Sequence, residues 1–82
     1  NYILLDNLDK IVALGYPVLS ALSRKSMIGA ACTIEDPKKR VTGSVAGALI
    51  SVLKGAQMLR VHDVKETVEA LNVYKAMIES RL

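Results

Sequence analysis

The sequence predicts an α/β fold: helix, strand, helix, strand, helix, with the two strands parallel. Three observations predict it. The runs Pro17-Val18-Leu19-Ser20-Ala21 and Met58-Leu59-Arg60-Val61 are short, apolar-rich stretches that each give way to polar side chains. A long helical pattern lies between them, and a strand–helix–strand unit with a helical crossover makes parallel strands. The composition is 51% hydrophobic with no Phe and no Trp, so the core is aliphatic, as in helices packed on a buried parallel sheet. With 82 residues the chain has room for one small domain.

The first element is an amphipathic helix over residues 3–14, because Leu4, Leu5, Leu8, Ile11 and Val12 recur at three- and four-residue spacing. Gly15 stands where a helix C-cap glycine belongs, and Pro17 prevents continuation. The first strand covers residues 17–22. Residues 30–35 are ambiguous. Asp36-Pro37 is a helix start, Asp as N-cap and Pro at the first helical position. Val41, Val45, Ala48, Leu49 and Val52 give that helix its apolar stripe, while Gly43 and Gly47 predict close packing on a neighbour such as the sheet. Gly55 ends it. The second strand covers residues 58–61. Asp63 and Glu66 have capping-box spacing, and a last helix follows over residues 64–80, with Val64, Val68, Leu71, Tyr74 and Ile78 on one face. Two strands are a poor sheet alone, so the chain is expected to belong to a larger sheet or to associate with copies of itself. It begins inside an apparent helix at Asn1 without an initiator methionine, the pattern of a fragment or processed chain.

Charge and composition exclude several classes. Eleven basic and eight acidic residues give a net charge of +3. The cations are scattered and only three Tyr are present, which argues against nucleic-acid binding. A lone Cys32 and a lone His62 allow neither a disulfide framework nor a metal cluster. No apolar run approaches the ~20 residues of a membrane span, and no signal peptide is evident. The expected compartment is the cytoplasm.

The chemistry gathers at the strand ends. Arg24, Lys25, Arg60 and His62 follow the two strands, and in a parallel βαβ unit both ends lie on one edge, beside helix N-termini. Such an edge suits a phosphate or carboxylate. Lys25 is a compact point charge, an Arg fork can also stack on a flat ring, and His62 donates one or two hydrogen bonds. Ser23 and Ser26 complete the set. Plainer readings exist for each. Ser23-Arg24-Lys25-Ser26 also fits a solvated turn, Arg60 a side chain with its head in water, and His62 a structural hydrogen bonder. Asp63 reads as a helix cap, Met27 and Ile28 as core, Cys32 as a packing residue, and Lys38-Lys39-Arg40 as a solvated helix face.

The stretch Gly15 to Gly29, containing Ser23-Arg24-Lys25-Ser26-Met27-Ile28-Gly29, followed by Gly55 to Val64, containing Arg60-Val61-His62-Asp63-Val64, resembles the dihydropteroate synthases. The resemblance covers nearly the whole chain, including Gly43-Ser44-Val45-Ala46-Gly47 between the motifs, and corresponds to the C-terminal third of that family. It implies a partial (β/α)8 barrel, with residues 17–22 as the seventh strand and 58–61 as the eighth. It implies condensation of 4-aminobenzoate with dihydropterin pyrophosphate in folate synthesis, with release of pyrophosphate. It also implies Mg2+ near the pyrophosphate and sensitivity to sulfonamides; the exposed sheet edges and apolar helix faces of so small a part of a barrel imply a homo-oligomer. By the same resemblance Lys25 bonds the pterin ring, Arg60 stacks on the pterin and meets the pyrophosphate, and His62 binds the pyrophosphate. Ser26 holds the aminobenzoate carboxylate and Arg24 borders its pocket. The family's metal-binding Asn and the acidic residues that read the pterin lie on early strands, so the Mg2+ ligand is expected outside this chain and the chain alone is expected to be inactive. Two rivals remain: a methyltetrahydrofolate-type pterin-binding methyltransferase, similar in fold, and a non-catalytic module that self-associates through its sheet edges.

Overall fold

A computed structural model describes residues 2–81; Asn1, where the sequence suggested an interrupted helix, and Leu82 lie outside them. Helices α1 (Tyr2–Asp6) and α2 (Leu8–Val12) precede strand β1 (Leu19–Ser20). Helix α3 (Ser26–Cys32), a 3-10 turn (Pro37–Lys39) and helix α4 (Val41–Leu53) lead to strand β2 (Met58–Leu59) and helix α5 (Val64–Glu79). The strands are parallel, with Leu19 opposite Met58 and Ser20 opposite Leu59. Both are shorter than the sequence runs 17–22 and 58–61. Pairing frays into single bonds at either end, from Gln57 N to Val18 O at 3.1 Å and from Arg60 N to Ser20 O at 2.9 Å.

The single helix expected over residues 3–14 is two. The Asn7 side chain donates to Ile3 O at 2.8 Å, where the Asn7 backbone N–H also donates at 3.2 Å. A short polar side chain that competes for a helix carbonyl favours a turn. Leu5 and Leu8 still form the core with Ala56, joined by Ile11, Val18 and Leu22, but Leu4 is exposed. Gly15 (φ +93°) and Gly55 (φ +103°) do close their helices in the left-handed region.

The Asp36-Pro37 start signal operates on a smaller element than expected. Lys38 N donates to Asp36 Oδ1 at 3.0 Å, capping only the 3-10 turn, and Arg40 breaks the chain before α4. The apolar stripe of α4 is also displaced. Its buried face is Ser44, Gly47, Ala48 and Ser51, while Val41, Val45, Leu49 and Val52 are half-buried flanks. Small residues win the central face because β1 lies close: Ser20 Oγ and Ser51 Oγ are 2.7 Å apart, and Ser51 Oγ also donates to Gly47 O at 2.8 Å. Gly43 packs on α3 rather than on the sheet. A Cβ there would stand 2.7 Å from Ile28 Cγ2 and 2.8 Å from Cys32 Sγ. On α5, Val64 and Val68 are exposed; the inward face is Thr67, Leu71, Tyr74 and Ile78.

Helices cover one face of the strand pair. Ser20 points to α4, whereas its neighbour Leu19 is 53% exposed and Met58, opposite it, is 48% exposed. Alternation along a strand puts Leu19, Ala21, Met58 and Arg60 on this open face. Tyr2 OH donates to Met27 O at 2.6 Å, and Lys54 Nζ donates to Asp6 O at 2.9 Å, so the N-terminal helices are tied to α3 and to the end of α4. No helix among the described residues is long and apolar enough to cross a membrane.

Candidate functional site

The register of the strands continues past their ends. Leu19 pairs with Met58, and at the same 39-residue offset Ser23 meets His62 and Arg24 meets Asp63. Ser23 is buried; its Oγ accepts from the His62 backbone N–H at 3.1 Å and lies 2.9 Å from His62 Nδ1. This contact engages Nδ1 and leaves Nε2 as the ring nitrogen open to a further partner. One residue on, the Arg24 fork grips Asp63: Nη2 donates to Oδ1 at 2.7 Å and Nε donates to Oδ2 at 3.2 Å. The loop after β1 and the loop after β2 are therefore laced together, side by side.

Asp63 is not the cap that its spacing suggested. It stands at the N-cap position of α5 but makes no side-chain cap bond. Its backbone oxygen accepts from Thr67 N at 3.0 Å and Thr67 Oγ1 at 2.7 Å, while its carboxylate serves Arg24. The Arg24 hydrogen bond holds the Asp63 carboxyl below the usual carboxylate range, and the same bond raises Arg24. The two charges offset each other. The uncompensated cations of this edge are Lys25 and Arg60, both exposed and, among the described residues, without a hydrogen bond or ion pair from their charged groups.

Lys25 and Ser26 enter the edge through a constrained turn. Arg24 has φ +59°, uncommon for a residue with a side chain. Its N–H donates to Ser44 Oγ at 2.8 Å and its carbonyl accepts from Arg40 Nη1 at 2.9 Å. Ser26 then opens α3. Lys25 borders an open cavity of about 350 Å³ whose other lining includes Leu4, Leu8, Leu19, Ala21 and Met27. Arg60 lies beyond β2 on the open sheet face.

The structure thus joins Arg24 to Asp63 and Ser23 to His62, and leaves Lys25, Ser26 and Arg60 open on the same edge. Arg40 departs furthest from its sequence reading: it is half-buried and hydrogen-bonded, not a solvated face. Aligning the two strand-to-loop segments at one fixed offset would have paired Ser23 with His62 and Arg24 with Asp63; nothing local marks Arg40. Among the described residues no group of three or more His, Cys, Asp or Glu side chains could hold a metal ion. The one carboxylate in these two strand-end loops is engaged by Arg24, so these residues do not fit a Mg2+ site.

The sequence pattern of a family described as pterin binding enzyme matches residues 1–62. A dihydropteroate synthase of Haemophilus influenzae is 56% identical over 77 residues, covering 93% of this chain and 27% of that protein. The crystal structure of the Thermus thermophilus dihydropteroate synthase in complex with 4-aminobenzoate superposes with a TM-score of 0.89 at 56% identity, covering 93% of this chain and 30% of that one. The Xanthomonas albilineans enzyme in complex with 7,8-dihydropteroate gives a TM-score of 0.88 at 50% identity, over 90% of this chain and 28% of that one. The chain spans less than a third of the length of these relatives. Its fold is part of a (β/α)8 barrel: two βα units and the helices before them.

Proposed function

The chain belongs to the pterin-binding enzyme family, and on that premise we propose that it supplies the last two βα units of a dihydropteroate synthase, residues 1–82 being the C-terminal portion of the barrel domain. The activity is condensation of 4-aminobenzoate with dihydropterin pyrophosphate. The arylamine nitrogen bonds to the pterin methylene carbon, the carbon–oxygen bond to pyrophosphate breaks, and the amine gives up a proton. The observation that carries the reading is the laced edge, which presents two cations unpaired among the described residues, Lys25 and Arg60, beside His62.

The roles are those the family resemblance implies, and the chemistry of each side chain supports them. Lys25 donates to the pterin ring. Arg60 lies flat against the pterin and, with His62 Nε2, offsets charge on the departing pyrophosphate, where a planar cation suits both partners. Ser26, at the first position of α3, donates to the aminobenzoate carboxylate. Arg24 borders that pocket by position, with its own charge engaged by Asp63. Magnesium, which in this reaction would screen pyrophosphate charge, is assigned to residues outside this chain. The same reading makes the complete barrel a cytoplasmic, sulfonamide-sensitive homo-oligomer. The dihydropteroate and 4-aminobenzoate complexes of the relatives favour it over a methyltransferase.

The test is turnover. A complete barrel carrying this sequence, incubated with dihydropterin pyrophosphate, 4-aminobenzoate and Mg2+, should form dihydropteroate on chromatography. His62→Ala should lower turnover more than pterin affinity, because it acts on the leaving group. A wild-type barrel that folds yet yields no product would overturn the assignment.

A further inference from the structure

Helix α3 carries Lys25 and Ser26 at its start, and it is bracketed by two left-handed residues, Arg24 (φ +59°) and Thr33 (φ +58°). Both positions are uncommon for residues with side chains, and Thr is β-branched. Such conformations persist when their surroundings over-determine them. One side chain does this at both ends. The Arg40 guanidinium donates to Arg24 O at 2.9 Å on the entry side, and to Ile34 O at 2.9 Å and Glu35 O at 2.7 Å on the exit side. It lies flat over Gly29 in the middle of α3, where any Cβ would collide with it. Ser44 closes the circuit by accepting from Arg24 N and donating to Arg40 O.

We propose that Arg40 is a positioning residue for the substrate site: through three carbonyls it fixes the turn at Arg24 and hence the direction in which Lys25 and Ser26 enter the edge. The inference rests on the reading of Lys25 and Ser26 as substrate-binding. Arg40 itself touches no substrate. Arg60 and His62, on the other loop, are not bonded by Arg40 and reach it only through Ser23, Arg24 and Asp63. Its loss should therefore fall unevenly on the two substrates. Displacement of a binding group by about 1 Å can cost on the order of 100-fold.

The clamp can be released from either side. Arg40→Ala removes the fork. Gly29→Ala leaves the fork but pushes it off its carbonyls, and lies outside the proposed contacts. In the complete barrel each should raise the aminobenzoate KM by at least ~10-fold, with a smaller change in pyrophosphate inhibition, which reads Arg60 and His62. Each should also speed hydrogen exchange in the peptide spanning residues 23–28, a readout independent of activity. Arg40→Lys should rescue poorly, since one ammonium cannot reproduce the planar fork. The double variant should be no worse than Arg40→Ala alone, because both changes break one interaction. Additive effects, equal losses at both substrates, or unchanged exchange at residues 23–28 would overturn the proposal. Should Arg40→Ala fail to fold, the Gly29→Ala profile decides. Wild-type turnover tests the functional reading separately, while exchange follows the clamp whatever the substrate.

Discussion

Arg24 carries two connections at once: its backbone is held left-handed by Ser44 and Arg40, and its fork closes on Asp63. The ion pair makes stability depend on pH with a definite sign. The folded Asp63 pKa is lowered by its bond to Arg24, below an unfolded value of about 3.9. The stabilisation is present above that unfolded value and is lost as pH falls through the folded pKa. In thermal melts of the complete barrel, wild type should exceed Asp63→Asn at about pH 6, and the gap should close below about pH 4. A gap that widened with acid would refute the pairing. The open cations behave differently. Lys25→Ala removes a charged donor, and bonds to charged groups contribute ~1.5–3 kcal/mol, so pterin affinity in calorimetry should fall by ~10–100-fold. Arg60→Ala should cost at least as much, since it deletes a stacking plane as well as a charge; unaltered affinity in either variant would remove that residue from the site.

At the scale of elements, the thin section of α4 decides how close α3 can come. Gly43→Ala would improve helix propensity by ~1 kcal/mol. The added Cβ, however, meets Ile28 Cγ2 at 2.7 Å, and Ile28 is only 3% exposed and has nowhere to move. Overpacking costs ~1–3 kcal/mol, so the clash should win and the urea midpoint should drop; a rise would show that α3 yields. Element existence was legible because it depends on local signals: Gly15 and Gly55 as stops, apolar periodicity, and polar residues after each strand. The structure departs from the expectation where a side chain had a choice of partners that residue spacing does not decide. Asn7 took a helix carbonyl and split the first helix, and Asp36 capped a 3-10 turn instead of α4. Ser44 and Ser51 sat on the buried face of α4 because β1 offers Ser20 and the loop offers the Arg24 N–H. The candidate site residues Lys25, Arg60 and His62 could be placed on one edge from chain order alone. The partners of Arg24 and His62 need the strand register as well, the 39-residue offset at which the two strand-to-loop segments align.

At the scale of the whole molecule, the strand pair has an open face. Leu19 and Met58 stand 53% and 48% exposed there, next to Arg60 in the strand alternation, and Lys25 borders the cavity at the free edge of β1. In the solved relatives this chain corresponds to under a third of the polypeptide. The rest of a barrel would cover that face and pair that edge, as large apolar patches rarely stay open to water. Two consequences follow for a sample of these 82 residues alone. It should self-associate, because unpaired strand edges and bare leucine and methionine side chains seek partners; light scattering that showed a monomer at every concentration would contradict this. It should also form no dihydropteroate. The cations of one edge can gather phosphate, but turnover needs both substrates held in line, and the described residues contain no carboxylate cluster for a metal. The measurement is product chromatography after incubation with dihydropterin pyrophosphate, 4-aminobenzoate and Mg2+, on a sample whose intact mass matches these residues. Product above a no-protein blank would mean that two βα units suffice for catalysis, and the need for a complete barrel would fall.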